Sequence, residues 1–238
     1  MIRAVIFDMF ETLVTFFESP LYFGAQIAKD AGIPEESFNA LWRPTEHARS
    51  IGEMTLEQTL EMILRENGCY SEKLLKDIVE KRVETKIDCF RHIHPDVIPM
   101  LTKIKEKGIL IGLISNCYSE EVGVIRNSAL FPYFDAVYLS YEQGVWKPDE
   151  EIFRRCIEKL SVKAEECLYI GDGGSYELET ATKLGMTALQ ATWYSKDEFS
   201  RLAERNDEFI QLETPMEVLE YLMENQDAGE GKNACIML

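Results

Sequence analysis

Residues 4–8 read AVIFD, a continuous apolar run that ends in an acid. Four similar runs follow along the chain: ILIGLIS (109–115), FDAVYLS (134–140), CLYIGD (167–172) and MTALQAT (186–192). Strands with one face in water alternate apolar and polar residues, whereas strands covered on both faces are apolar throughout. The five runs therefore predict strands of a parallel sheet that is covered on both sides.

Segments with helical periodicity separate these runs. In one of them Val97, Leu101 and Ile104 share a face, and Gly108 can end the helix after a Lys-rich last turn. Residues 152–160 repeat this apolar spacing. Strands that alternate with helices in this way predict an α/β fold with a doubly wound, mainly parallel sheet.

Residues 15–91 interrupt the alternation, because they contain amphipathic helical patterns and no convincing strand. The clearest of these patterns begins after Thr55, with Gln58 three residues on as in a capping box, and Gly68 can end it. The segment is therefore predicted to be an inserted, all-helical domain.

On this interpretation, residues 1–14 and 92–225 form a discontinuous α/β core around the insert. A last amphipathic helix at 216–223 precedes residues 226–238, which are predicted to be a flexible tail. The chain ends in Cys235-Ile-Met-Leu, which fits the C-a-a-X prenylation pattern. No basic stretch precedes that motif, and it would matter only in a eukaryotic host.

The composition narrows the possible partners and compartment. The 238 residues include 42 acidic and 25 basic ones, a formal charge of −17, which disfavours nucleic acids and anionic membranes. No apolar run approaches the roughly 20 residues of a membrane span, and no secretory signal is evident. The six cysteines contain no CxxC pair and are expected to be free thiols. We expect a soluble cytoplasmic protein whose partner is a small anionic molecule.

Polar residues follow the predicted strands at their carboxyl ends, where open α/β sheets bind ligands. Asp8, Ser115 with Asn116, and Asp172 stand at three of these ends, and Lys147 follows a fourth strand. Two carboxylates, a hydroxyl and a cation suit attack on a phosphoryl group or a similar electrophile. One carboxylate attacks, both can hold a divalent cation, and Lys and Ser neutralise or hydrogen-bond the transferring group.

Four motifs in this order resemble those of the haloacid dehalogenase (HAD) superfamily of hydrolases. Residues 8–13, Asp-Met-Phe-Glu-Thr-Leu, resemble D-x-D-x-T, and Ser115 ends an apolar strand. Lys147-Pro148 opens an amphipathic helix, and residues 171–177, Gly-Asp-Gly-Gly-Ser-Tyr-Glu, resemble G-D-x-x-x-x-D. The resemblance implies a Rossmann-like core and a helical cap between the first and second motifs, which is where residues 15–91 fall.

The resemblance also implies a Mg²⁺ site. Asp8, Asp172 and the backbone carbonyl of Phe10 would be its ligands, consistent with the preference of this ion for oxygen. Glu177 would support the water shell of the metal or pair with Lys147.

The remaining roles concern the substrate. The resemblance implies that Asp8 attacks to form a covalent aspartyl intermediate, while Ser115 and the amide of Asn116 hold the transferring oxygens. Lys147 would orient Asp8 and balance charge. In the predicted cap, where this family selects substrate, Arg49 is a candidate for binding an anion.

Phe10 departs from the phosphatases of this family, which have a second Asp at that position. That Asp protonates the leaving group and later activates water, help that is typically worth about 10²–10⁴ in rate. The haloacid dehalogenases also have an aromatic residue there. They work without metal, however, and lack the Gly-Asp pair that is present here as Gly171-Asp172.

We therefore expect Mg²⁺-dependent, phosphatase-like hydrolysis of a small phosphorylated metabolite. Its leaving group would be a good one, or its proton would come from elsewhere, for example from Glu11. The alternatives are a 2-haloacid dehalogenase-like hydrolase and a weakly active or non-catalytic member that binds an anion.

Overall fold

A single sheet organises the computed structural model, which describes residues 1–195 and 205–233, with side chains as far as residue 225. The strands are β1 (Ala4–Phe7), β2 (Leu110–Ser115), β3 (Ala136–Leu139), β4 (Cys167–Gly171), β5 (Thr187–Ala191) and β6 (Ile210–Leu212). Their order is β3-β2-β1-β4-β5-β6, and each neighbouring pair is parallel. This confirms the parallel α/β sheet that the apolar runs predict.

Two details of the strands differ from the prediction. β3 is shorter than the predicted 134–140 at both ends. The side chain of Asp135 accepts a hydrogen bond from the amide of Ile111 at 2.8 Å just before the strand begins, and Ser140 already begins the next helix. β6 was not predicted at all. It is a three-residue edge strand whose first residue, Ile210, is 57% exposed. An exposed strand of this length does not have the continuous apolar run by which buried strands are predicted.

Helices connect and cover the strands. In chain order they are α1 (Gly24–Ala31), α2 (Glu35–Trp42), α3 (Glu46–Ser50), α4 (Leu56–Glu66), α5 (Glu72–Cys89), α6 (Val97–Glu106), α7 (Ser119–Arg126), α8 (Ser140–Gln143), α9 (Glu150–Leu160), α10 (Glu177–Lys183) and α11 (Glu217–Asn233). Among the described residues, none of these helices is both long and apolar enough to cross a membrane.

The two faces of the sheet bury different side chains of the same strands. Val5 and Phe7 pack with apolar residues of α6, α7 and α11, while Ala4 and Ile6 pack with those of α9 and α10. Alternate residues of β1 therefore face opposite layers of helices, and the two layers together shield β1 from water. This is the doubly wound arrangement that the sequence predicts.

Helices α1 to α5 lie between β1 and α6 in the chain, and no strand lies among them in this described stretch. Residues between Tyr22 and Ile78 form an apolar cluster of their own. The predicted capping box is present at α4, where Thr55 Oγ1 accepts from the amide of Gln58 at 3.1 Å and Gln58 Oε1 accepts from the amide of Thr55 at 2.9 Å. The boundaries 15 and 91 of the inserted domain stay a prediction.

The C-terminal region is more helical than expected. α11 continues to Asn233, so residues 226–233 of the predicted tail are helical. The tail was predicted because the apolar periodicity of the helix stops there, and such periodicity indicates which residues pack against the core and not where the helix ends. A helix can continue beyond its last packed turn, here around Leu222, because each further residue adds one backbone hydrogen bond. The Cys235 motif lies outside the described residues.

Candidate active site

Asp8 and Asp172 lie side by side because they follow neighbouring parallel strands. β1 and β4 pair in the register Phe7 with Ile170, and the amide of Asp8 donates to the carbonyl of Ile170 at 2.9 Å. β1 is also where the strand order reverses, with β2 and β3 on one side and β4 to β6 on the other. Parallel sheets open a crevice for ligands at such a point.

Lys147 reaches the same point from the loop between α8 and α9. It is buried, and its Nζ lies 2.5 Å from Asp8 Oδ1 and also contacts Glu177 Oε2. The structure therefore brings together residues that lie 139 and 30 positions from Lys147 in the chain. Of the two roles open for Glu177, pairing with Lys147 is present.

Glu177 begins α10 and is held on every side. Tyr169 Oη donates to its Oε2 at 2.9 Å, and the amide of Gly173 donates to its Oε1 at 3.3 Å. Gly171 makes room for it, since a Cβ at that position would lie 1.9 Å from Glu177 Oε1. Residue 171 must therefore be a glycine, because any larger residue would collide with the Glu177 carboxylate.

The charges in this cluster do not balance. Asp8, Asp172 and Glu177 present carboxylate oxygens within 4.8 Å of one another, and with all three ionised, three negative charges against the one of Lys147 leave −2. Burial by itself lowers the pKa of Lys147, but Asp8 and Glu177 outweigh this effect and raise that pKa. Burial raises the pKa of Glu177, against the opposing effect of Lys147. A divalent cation bound by these oxygens would neutralise the excess, so the residues fit Mg²⁺.

Ser115 and Asn116 follow β2 beside this cluster. Ser115 is fully buried, and its hydroxyl donates to the carbonyl of Asn116 at 3.3 Å. The Asn116 side chain accepts from the amide of Lys147 at 2.8 Å and donates to its carbonyl at 3.0 Å. Asn116 therefore fixes the loop that delivers Lys147.

Phe10, two residues after Asp8, is part of an aromatic group. Its ring stacks on Phe16 with centroids 4.5 Å apart and meets Phe90 edge-on at 6.4 Å. The neighbouring Glu11 has a φ of 62°. Its carboxylate accepts from the hydroxyl of Thr15 at 2.6 Å and from the amide of Phe16 at 2.9 Å. Burial raises the pKa of Glu11 to about 7, but these bonds hold its carboxylate in the turn.

A cavity of about 690 Å³ extends from Phe10 and Asn116 to helices α1, α2, α3 and α5. Arg49 lines this cavity and is not part of the Asp8 cluster. Arg82 and Lys86 of α5 also line it. Neither residue was predicted from the sequence to belong to the site, and neither was the role of Tyr169. Tyr169 stands within an apolar run, and the two cations have helical spacing, so each pattern is also that of an ordinary structural residue.

The family of haloacid dehalogenase-like hydrolases matches residues 2–185 of the chain. The chain belongs to this family. The HAD hydrolase is 26% identical over 241 residues to glyceraldehyde 3-phosphate phosphatase of Methanopyrus kandleri, covering 94% of this chain and 98% of that protein. This similarity supports a phosphatase-like hydrolase.

Solved structures show the same fold. A 2-haloacid dehalogenase from Pseudomonas syringae pv. Tomato DC3000 superposes with a TM-score of 0.64 at 22% identity, covering 94% of the HAD hydrolase and 99% of that chain. A HAD family enzyme from Bacteroides thetaiotaomicron, in complex with magnesium and inorganic phosphate, has a TM-score of 0.61 at 20% identity, covering 84% and 98%. At these identities the likeness establishes the fold alone.

Proposed function

We propose that the chain is a Mg²⁺-dependent phosphatase that hydrolyses a small phosphorylated metabolite through an aspartyl intermediate at Asp8. The observation that carries this proposal is the buried contact of Lys147 with both Asp8 and Glu177, beside Asp172. A charge of −17 makes nucleic acid and anionic membranes poor partners, and we place the activity in the cytoplasm.

Asp8, Asp172 and the carbonyl of Phe10 would hold the metal, with Glu177 supporting its water shell. When bound, Mg²⁺ supplies positive charge that neutralises the phosphoryl group and the carboxylates around it. This would offset the excess of two negative charges that the cluster carries when all three carboxylates are ionised.

The side chains of the enzyme divide the remaining work. Lys147 pairs with Asp8 and orients it, so that its carboxylate can attack phosphorus and displace the leaving group. Ser115 and the amide of Asn116 bind the transferring oxygens. Water then hydrolyses the phosphoaspartate and regenerates Asp8.

The leaving group has to depart without an acid at position 10. Phe10 cannot donate a proton, and the Glu11 carboxylate is held by Thr15 and Phe16. Substrates whose leaving group is a weak base, such as aryl, enol or acyl phosphates, need no such proton. We therefore propose that the enzyme prefers them to alkyl phosphates.

Hydrolysis of p-nitrophenyl phosphate and acetyl phosphate tests the proposal. We expect both reactions to require Mg²⁺ and to be abolished in Asp8→Asn. Asp30→Asn, which changes a carboxylate paired with Lys81 at the surface, is the matched control and retains activity. Equal rates with excess chelator would overturn the metal requirement.

Phe10 favours one other reaction, the hydrolysis of 2-haloacids, because a halide leaves without a proton. The intact metal-ligating pair of Asp8 and Asp172 argues against it. Release of chloride from 2-chloropropionate in the absence of metal would support this second candidate. A non-catalytic, anion-binding member is distinguished by beryllium fluoride, which should trap Asp8 as a phosphoaspartate mimic only in an assembled site.

A further inference from the structure

Arg49 is a buried cation whose charge Glu120 and Glu46 offset only from beyond ion-pair distance. Its side chain lies in α3 and is 3% exposed, and its Nε donates to Thr45 Oγ1 at 3.1 Å. Nη1 has no hydrogen-bond partner, and no carboxylate in the described part of the chain forms an ion pair with the guanidinium. Its guanidinium carbon lies 3.7 Å from the centroid of Trp42 and 4.6 Å from that of Tyr118.

This arrangement is unfavourable without a ligand. Removing a charge from water is costly unless that charge is paired, and burial accordingly lowers the pKa of Arg49. The rings of Trp42 and Tyr118 contact the flat surface of the guanidinium. The two rings take up directions from which an anion could approach, whereas the N–H groups at the edge of the guanidinium lie in one plane and include Nη1, which has no partner. A planar carboxylate can match that geometry with two parallel hydrogen bonds.

The other buried cations of the cavity differ from Arg49. Arg82 Nε lies 3.2 Å from Glu120 Oε1, and Lys86 Nζ lies 2.6 Å from Glu121 Oε1. These two pairs join α5 to α7 and are satisfied within the protein. Among the buried cations that line the cavity within the described ranges, Arg49 is thus the one that still lacks an acid.

α3 holds Arg49 close to the end of β2. Ser140 Oγ donates to the carbonyl of Ser50 at 2.8 Å and accepts from the amide of Cys117 at 3.0 Å. The helix is pressed against the core just after Ser50, since a Cβ on Gly52 would lie 2.3 Å from the carbonyl oxygen of Tyr141. Arg49 is therefore anchored next to the strand that ends in the proposed phosphate-binding residues.

Aromatic rings line much of the cavity that contains Arg49 and reaches Phe10, two residues after Asp8. The cavity of about 690 Å³ is lined by Phe10, Phe16, Phe23, Trp42 and Tyr118, as well as by Arg49 and Asn116. Such a lining favours a flat, apolar or aromatic body in the ligand.

We propose that Arg49 binds a carboxylate on the organic part of the substrate, which would make the substrate an aryl or otherwise unsaturated phosphate ester bearing a carboxylate. This inference rests on the proposed phosphatase function and specifies its substrate class. The phosphate lies at Asp8, the unsaturated body lies among the phenylalanines, and the carboxylate meets the edge of the guanidinium.

Two matched substrates test the inference: 4-carboxyphenyl phosphate and its neutral isostere 4-carbamoylphenyl phosphate. The neutral compound has the better leaving group, so chemistry alone favours it. We expect the wild-type enzyme to prefer the carboxylate by about 10- to 100-fold in kcat/KM, the range for a hydrogen bond to a charged group. The preference should appear in KM and should vanish in Arg49→Met.

Arg49→Lys keeps the charge without the planar fork and should restore part of the preference. Thermal unfolding of each variant shows that it is folded, and the ratio between the two substrates does not depend on the amount of active enzyme. A wild-type enzyme without the preference, or an Arg49→Met variant that retains it, would overturn the inference.

A binding experiment separates this inference from the proposed function. Calorimetry measures the affinities of wild type and Arg49→Met for 4-carboxybenzylphosphonate and 4-carbamoylbenzylphosphonate, which cannot be hydrolysed, in the presence of Mg²⁺. If neither phosphate ester is hydrolysed, the proposed function fails. The inference about Arg49 still stands if the carboxylate binds more tightly and only with Arg49, and it falls if the two phosphonates bind equally well.

Discussion

Replacing Phe10 with Asp should convert the enzyme toward alkyl phosphates. The new carboxylate would stand two residues after Asp8, where the Phe10 ring now packs against Phe16 and Phe90. General acid catalysis typically contributes about 10²–10⁴ in rate, and we expect the lower end, about 100-fold, because nothing here evolved to orient the new group. That gain corresponds to about 2.7 kcal/mol of activation free energy.

The same change should destabilise the protein. Phe10 makes two ring contacts, at centroid distances of 4.5 and 6.4 Å. Each such pair is worth about 0.5–1.5 kcal/mol beyond the buried area. With the loss of the buried ring added, we expect the unfolding free energy to fall by about 3 kcal/mol. Urea unfolding measures this loss, and assays are run at a temperature where the variant remains folded.

The assay compares glycerol 2-phosphate with p-nitrophenyl phosphate in Phe10→Asp and in Phe10→Asn. Asn has nearly the shape of Asp but cannot transfer a proton, so it controls for the loss of the ring. We expect kcat/KM to rise only for the alkyl ester and only in the Asp variant. An equal gain in Phe10→Asn would refute proton transfer as the cause, and no gain in either would show that another group already protonates the alkoxide.

Three further substitutions probe the buried charges and the tight packing of the site. Lys147→Met leaves Glu177 without its cation and should cost about 3–5 kcal/mol of unfolding free energy at pH 7.5. Burial raises the pKa of Glu177 and Lys147 opposes this effect, so the variant has the higher Glu177 pKa and loses more stability as pH rises above the ordinary carboxyl range. The deficit should therefore shrink at pH 5.5, and equal deficits in metal-free urea unfolding at both pH values would contradict this. Gly171→Ala should abolish phosphatase activity in a folded protein, because its Cβ would lie 1.9 Å from Glu177 Oε1, and a variant with normal turnover would disprove the steric argument. Lys86→Met leaves Glu121 buried and unpaired and should lower unfolding free energy by about 3–5 kcal/mol, whereas Lys86→Met/Glu121→Gln should recover part of it in the same measurement.

The interior strands were predictable because a strand that is buried on both faces has a continuous apolar run in its own sequence. Ala4 to Phe7 are all fully buried, as a continuous apolar run implies. The edge strand at Ile210 was not predicted, because a strand that is partly exposed to solvent does not need a continuous apolar run. Helix α4 was predictable through Thr55 and Gln58, whose capping interaction spans only three residues.

The sequence by itself determined that Asp8 and Asp172 meet, because each directly follows a strand and parallel neighbours end at the same edge. Only the tertiary structure decided that Tyr169 holds Glu177, that Lys86 has an acid and that Arg49 has none within the described residues. A strand end is a local property that the order of residues records. Whether a side chain has a partner on another helix or loop depends on their distance in space. The same residue types at the same spacing in the chain are compatible with a paired or an unpaired side chain.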